Sequence, residues 1–441
     1  MIRMKRESFL TFLLISLGII PGGVLAPHSA QAQTCEIIRD EIITLRPPSF
    51  GQYTVWDYVQ GEKGMEQIAD FVPLEEGGFV AAGSYTAGEE DRVYKPYLFS
   101  MDGRGKLLWE TREASPVFKT IERILKVGDK YVVTGDIKDP KKGDGIYMAF
   151  YSLEGKRLKQ FPVFEPQGDL DAKAIVRAQD GNGYFIAAQY TPSGKTEGGY
   201  GIVYKLSNGG SRLLRRAYTP GMDTTFTNMQ PAKDGSYFIT GSVRSENGKR
   251  AGWLVKIDDR ASITWAQTYP RGKSAILRSV MEYPNGDYFM TGESVPLSGR
   301  HPSGWVARTD SGGNVLWQRY FYGSYSYGVW DALTYPDGRA VALLRGVPQK
   351  LVQRGHVRLL TFTPEGVLIN SEDFSDFNGA TAFRLQAGPD GERIFAGYSQ
   401  TSMDDALVPG DISPRTYDAW ITAAQGLEVY DDPCLPEVNY R

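Results

Sequence analysis

Histidine is scarce in this chain. There are three among 441 residues, and the one at position 28 lies in a leader-like start, which leaves His301 and His356. Two imidazoles cannot build a histidine-rich metal site, and they leave little for a Ser-His-Asp or Cys-His nucleophile. Each has an arginine close by, Arg300 and Arg354, and between them the segment 321–330 reads FYGSYSYGVW, with Tyr325 and Tyr327. Arginine beside tyrosine is the composition of protein interfaces and carbohydrate platforms. Arg300, His301, Tyr325, Tyr327, Arg354 and His356 are therefore the candidate binding patch. Tyrosines packed into a seam between sheets are the competing reading. No catalytic residue is assigned. A glycosidase or lyase could use two of the many carboxylates, but spacing singles out no pair. There is no phosphate-cradling glycine loop, zinc-protease helix or EF-hand loop. No cofactor is predicted. Calcium could use the oxygens of Asp404, Asp405 and Asp411, although without recognisable ligand spacing, and a solvated acidic loop competes with that reading.

The start of the chain reads as a leader. Arg3, Lys5 and Arg6 precede an apolar run from Phe9 to Ile20, and Ala30-Gln31-Ala32 offers small residues for cleavage after Ala32. This predicts a signal peptide over 1–32 and an exported protein, periplasmic or extracellular. The apolar run is short for a membrane span. Cleavage would leave 46 basic and 51 acidic residues, a net of −5. That balance gives no general attraction to nucleic acid or an anionic membrane. The two cysteines, Cys35 and Cys434, stand near the two ends of the remaining chain. In an oxidising compartment they are expected to pair, tying those ends together.

These residues must be held by something, and the sequence repeats. Gly105 leads to Trp109, Gly155 to Lys159, Gly210 to Leu214, Gly313 to Trp317, Gly366 to Asn370 and Gly426 to Tyr430, with Ala261 and Trp265 in the same frame. The turns are 50, 55, 51, 52, 53 and 60 residues apart. A second series of strand starts at Phe79, Tyr131, Tyr184, Tyr237, Tyr288, Ala340 and Arg393 keeps steps of 51 to 53. Turns such as Asp234-Gly235 and Asn285-Gly286 precede them and mark hairpins. Four short strands per unit near this period predict an all-β, seven-bladed β-propeller of four-stranded antiparallel blades. Six or eight blades are the alternatives if an end is misread. The domain runs from 62 to 434, after an N-terminal segment 33–61 and before a tail 435–441.

Further expectations follow from the frame. The segment Tyr53–Tyr58 looks like a fourth strand and is expected to close the ring on the last blade, beside Leu427–Tyr430. Gly83, Gly135, Gly241, Gly292 and Gly397 recur four residues into the second strand, which implies close backbone approach between neighbouring blades. Trp109, Trp265 and Trp317 each follow an aspartate by seven residues (Asp102, Asp258, Asp310). The indoles are read as wedges between blades and the aspartates as turn caps. Loops between second and third strands are long and varied, so binding is expected on their face.

The segments Gly252-Trp253-Leu254-Val255-Lys256-Ile257-Asp258…Trp265 and Gly304-Trp305-Val306-Ala307-Arg308-Thr309-Asp310…Trp317 resemble repeats of secreted bacterial β-propellers of the quinoprotein-like (PQQ-like repeat) type. That group includes dehydrogenases and assembly scaffolds. The chain lacks the neighbouring cysteine pair of the dehydrogenases, so the resemblance implies the architecture without the quinone cofactor motifs. The sequence thus predicts an exported, monomeric, non-catalytic propeller that binds or scaffolds an envelope or extracellular protein or glycan. No nucleic acid partner and no transmembrane segment in the mature chain are expected. A polysaccharide-acting enzyme, glycosidase or lyase, using carboxylates at the channel mouth, is the alternative.

Overall fold

The computed structural model describes residues 38–45, 54–61, 64–88, 91, 93–115, 117–195, 198–299, 301–349, 355–374, 379–400 and 417–427. The leader 1–32, both cysteines, Arg300, Arg354, the aspartates of the 401–416 loop and the tail 435–441 lie outside the described residues. Among the described residues there is no helix, and so none that could cross a membrane.

Seven antiparallel four-stranded blades stand around an axis, blades 4 and 5 being joined by a single parallel bridge between Arg250 and Ser274. In each, the first strand (A) faces the axis: Glu66–Pro73, Arg123–Val127, Gly168–Arg177, Asp223–Pro231, Ser274–Glu282, Tyr325–Thr334 and Ala380–Ala387. Strands B, C and D follow outward along the chain, except in blade 7, whose outermost strand comes from the N-terminal side. The strands form because β-branched and aromatic residues alternate with small ones between glycine turns whose φ is positive. Blade 4 illustrates the unit, with strands at Asp223–Pro231, Tyr237–Arg244, Arg250–Ile257 and Ile263–Tyr269.

The core is divided among the seams. Seven separate apolar clusters each join two neighbouring blades, and the seventh packs Ile68, Phe71 and Phe99 of blade 1 against Ile394, Ala396 and Ile421 of blade 7. The ring is therefore closed, and it has seven blades. Fully burying one large side chain, such as Trp305 or Tyr237, contributes about 2–3 kcal/mol.

The closing strand comes from the N-terminal side. Thr54–Gln60 pairs antiparallel with Tyr417–Ala424, the third strand of blade 7. Residues 428–430 of the segment expected beside it lie outside the described residues. A second N-terminal strand, Asp40–Thr44, was not foreseen. It adds in parallel to strand D of blade 5, Val315–Tyr322. Arg319 fixes it there. This guanidinium, 1% exposed, donates from Nη1 to the Ile38 carbonyl at 2.8 Å and meets Glu41 at 3.1 Å.

The recurring strand-B glycine has a different cause from the one expected. A Cβ at Gly83 would lie 1.9 Å from the Gln67 carbonyl oxygen, and at Gly241 1.9 Å from that of Thr225. Both obstacles belong to strand A of the same blade, not to a neighbour. Strand A carries a bulge at this level, with register shifts at Ile68/Asp70, Phe226/Asn228, Leu277/Ser279 and Ala382/Arg384. The bulge presses the carbonyl inward, and only a residue without a side chain fits opposite it.

Candidate functional site

The bulge also builds the site. In six blades it inserts one extra residue and aims it at the axis. In chain order these are Ala69, Lys173, Thr227, Arg278, Trp330 and Phe383. In blade 2, where strand A pairs without a register shift, Glu122 stands just before the strand in the equivalent place. The next residues, deeper in the channel, are Asp70, Arg123, Ala174, Asn228, Ser279, Asp331 and Arg384.

The deeper ring is knotted by charge. Arg384 meets Asp70 at 3.2 Å and Asp331 at 3.3 Å. Asp70 also accepts from the Ile124 amide at 3.1 Å, one blade on, and Asp331 from the Leu385 amide at 3.1 Å and the Ser279 hydroxyl at 3.0 Å. Arg123 feels Arg384, Asp70 and Asp331 across the axis, and its own guanidinium is drawn down by burial first and by Arg384 second. Strand A runs away from the face carrying the B–C loops, so this network lies beneath the residues before it, as the floor of a cup.

The walls of the cup differ. Across blades 5 to 7, Arg278 lies over the Trp330 ring at 4.4 Å, and Arg345 lies over Trp330 at 5.2 Å and Phe383 at 5.3 Å. Trp330 meets Phe383 edge-on at 5.5 Å, and the arc continues through Tyr398 at 5.8 Å to Tyr417 at 4.7 Å from it. Glu293 holds Arg278 at 2.5 Å. Arg345 extends from strand B of blade 6, Ala340–Pro348, toward blade 7. On blades 2 and 3 the wall is acidic. Burial raises the Glu122 carboxyl, with Arg123 opposing and Asp171 adding. Burial raises Asp136 well above the ordinary carboxylate range, with Glu122 and Asp171 adding to it. Asp136 accepts from the Ala172 amide at 2.7 Å, and Lys173 pairs with Asp171. No group of three His, Cys, Asp or Glu among the described residues could hold a metal ion.

The predicted patch is resolved residue by residue. Tyr325, Tyr327 and His356 come together: His356 lies edge-on to Tyr325 at 4.3 Å and to Tyr327 at 5.6 Å. Tyr325 is half-buried, but Tyr327 and His356 are each 1% exposed, so those two are packed into blade 6. Neither His356 nitrogen has a hydrogen-bond partner, and burial, then Arg358, draws its pKa down to about 3. His301 is exposed on its loop, and the carbonyl of the next residue, Pro302, accepts from the Tyr327 amide at 3.0 Å. The cup residues escaped sequence reasoning because six separate blades supply them. The available signal was the bulge position, which varies from unit to unit while its neighbours repeat.

The capping aspartates act as read. Asp102 accepts from the Arg104 and Lys106 amides, each at 2.9 Å, and Asp258 from Ser262 at 2.7 Å. The indole of Trp265 lies against Gly313 of the next blade.

No family model matches the chain, and no curated protein matches it. Among solved structures, it is similar to puromycin hydrolase at 10% identity and a TM-score of 0.45, covering 76% of this chain and 50% of that one. It is similar to BBS1N, solved in complex with ARL6DN, at 12% identity and a TM-score of 0.43, covering 84% and 96%. The WD40 domain of SCAP from fission yeast gives 9% identity and a TM-score of 0.39, covering 83% and 97%. This chain spans about half the length of puromycin hydrolase.

Proposed function

We propose that this propeller is an exported, non-catalytic binding module, monomeric in the periplasm or outside the cell, that captures a protein or glycan at its B–C face. The supporting observation is the cup: a floor closed by Asp70, Arg384 and Asp331 beneath half-buried Trp330, Phe383 and Tyr398. A concave site with an aromatic wall and a few convergent polar groups is the usual form of a binding pocket. The loop bearing His301 extends the contact, together with Tyr325; Arg300 and Arg354 lie outside the described residues. Tyr327 and His356 support Tyr325 from beneath.

The test is affinity capture from envelope extract with the wild type and with a Trp330→Ala/Phe383→Ala variant of unchanged cooperative unfolding. The reading requires a retained species that the variant loses. Equal retention by both would overturn it.

A second reading rests on the acidic wall. Two neighbouring carboxyls that burial raises above the ordinary range, Asp136 and Glu122, are the kind of group from which a general acid is drawn. Under that reading Asp136→Asn abolishes polysaccharide turnover while binding persists.

A further inference from the structure

Two cup guanidiniums, Arg123 and Arg345, have no ion pair among the described residues. Arg123 donates to the Glu122 carbonyl at 2.6 Å, whereas Arg345 has no such bond, and its Nε is shut off from water without an acceptor. Trp330 and Phe383 hold its plane by their ring faces. The nearest carboxylate that it feels, Glu293, is already bonded to Arg278. The other central guanidinium of blades 5 to 7, Arg384, has two carboxylates. A half-buried guanidinium without a counter-charge is costly in a folded protein, and its fixed planar fork is suited to a bidentate anion.

The opposite wall narrows the anion. Glu122, Asp136 and Asp171 stand on blades 2 and 3, facing blade 6 across the ring, and would repel a dianion more than a monoanion. Their carboxyl oxygens accept hydrogen bonds, which sugar hydroxyls can supply.

Resting on the binding reading above, we propose that the cup takes an acidic glycan, with a uronate carboxylate on Arg345 and sugar hydroxyls on the Asp136–Glu122 wall.

The test is titration calorimetry of the mature protein with tetragalacturonate, maltotetraose and a tetrapeptide with a free C-terminus. Tetragalacturonate should bind about tenfold or more tighter than maltotetraose, and Arg345→Met should remove that margin. Arg345→Lys should restore only part of it, because an ammonium lacks the fork. Arg345→Met should also unfold at the wild-type temperature or above it, since it removes an unpaired charge. A fall in that temperature would mean that Arg345 serves the fold, and would overturn the proposal. Equal binding of maltotetraose would overturn the acidic class and leave the cup as a binding site. Tighter binding of the tetrapeptide would make the ligand a protein terminus, again overturning the glycan. If no probe binds while Trp330-dependent envelope capture persists, this inference alone fails. If that capture is also absent, the binding reading fails with it.

Discussion

The indole of Trp317 lies flat against Gly366, the turn glycine of the next blade: a Cβ placed there would fall 2.4 Å from its Cδ2. The same indole donates from Nε1 to the Pro364 carbonyl at 2.7 Å. Gly366 has a φ of 83°, so it is fixed both by backbone conformation and by its neighbour. The pairing recurs as Trp109 on Gly155, Phe161 on Gly210 and Trp265 on Gly313. One repeat feature thus locks four of the seven seams. Gly366→Ala should destabilise the fold by about 2–4 kcal/mol, read as a lower urea midpoint with an unchanged slope.

This pairing explains what was legible in the sequence. The glycine turns and strand-D aromatics are local signals that recur at a fixed period, and they led to the fold and the blade count. Gly83 and its equivalents were visible but misassigned, because a bulge within one blade and a contact between blades both ask for glycine. The strand Asp40–Thr44 has no counterpart in the repeat, so its place on blade 5 could not be read. Arg345 and Trp330 are ordinary within their own units. They become a site only when the ring brings blades 5, 6 and 7 to one channel.

Arg384 is the central tie of the channel floor. Replacing it with methionine leaves Asp70, 3% exposed, and Asp331, 1% exposed, without their shared cation. Loss of one member of a buried ionic network costs about 3–5 kcal/mol. Thermal unfolding of Arg384→Met should show that loss. Asp331→Asn should cost less, since its amide side chain can still accept from the Leu385 amide.

Acid should weaken the fold through His356. Its folded pKa is drawn down to about 3 from 6.5, so the unfolded chain binds a proton there that the native protein refuses. This contribution is fully present above pH 6.5 and is lost as pH falls from there toward 3, with a slope of about 1.4 kcal/mol per pH unit in the steepest part. His356→Phe removes both unpartnered nitrogens. Stability measured by urea between pH 6.5 and 4 should fall less steeply in the variant by one proton's slope.

The N-terminal clasp should be measurable at a single contact. Trp420, 5% exposed, donates from Nε1 to Asp57 at 2.6 Å and joins the closing strand to blade 7. Asp57→Ala should cost about 1–3 kcal/mol and lower the melting temperature. Deleting the strand Thr54–Gln60 should do more, since it exposes the outer edge of Tyr417–Ala424 and promotes association between chains.

Hydrogen-exchange footprinting with tetragalacturonate tests the location of the site most directly. Slowed exchange is predicted in the axial strands Ser274–Glu282, Tyr325–Thr334 and Ala380–Ala387 and in strand Ala340–Pro348, with the A–B and C–D turns unchanged. Protection confined to those turns, or to the outer strands alone, would contradict a ligand seated in the cup.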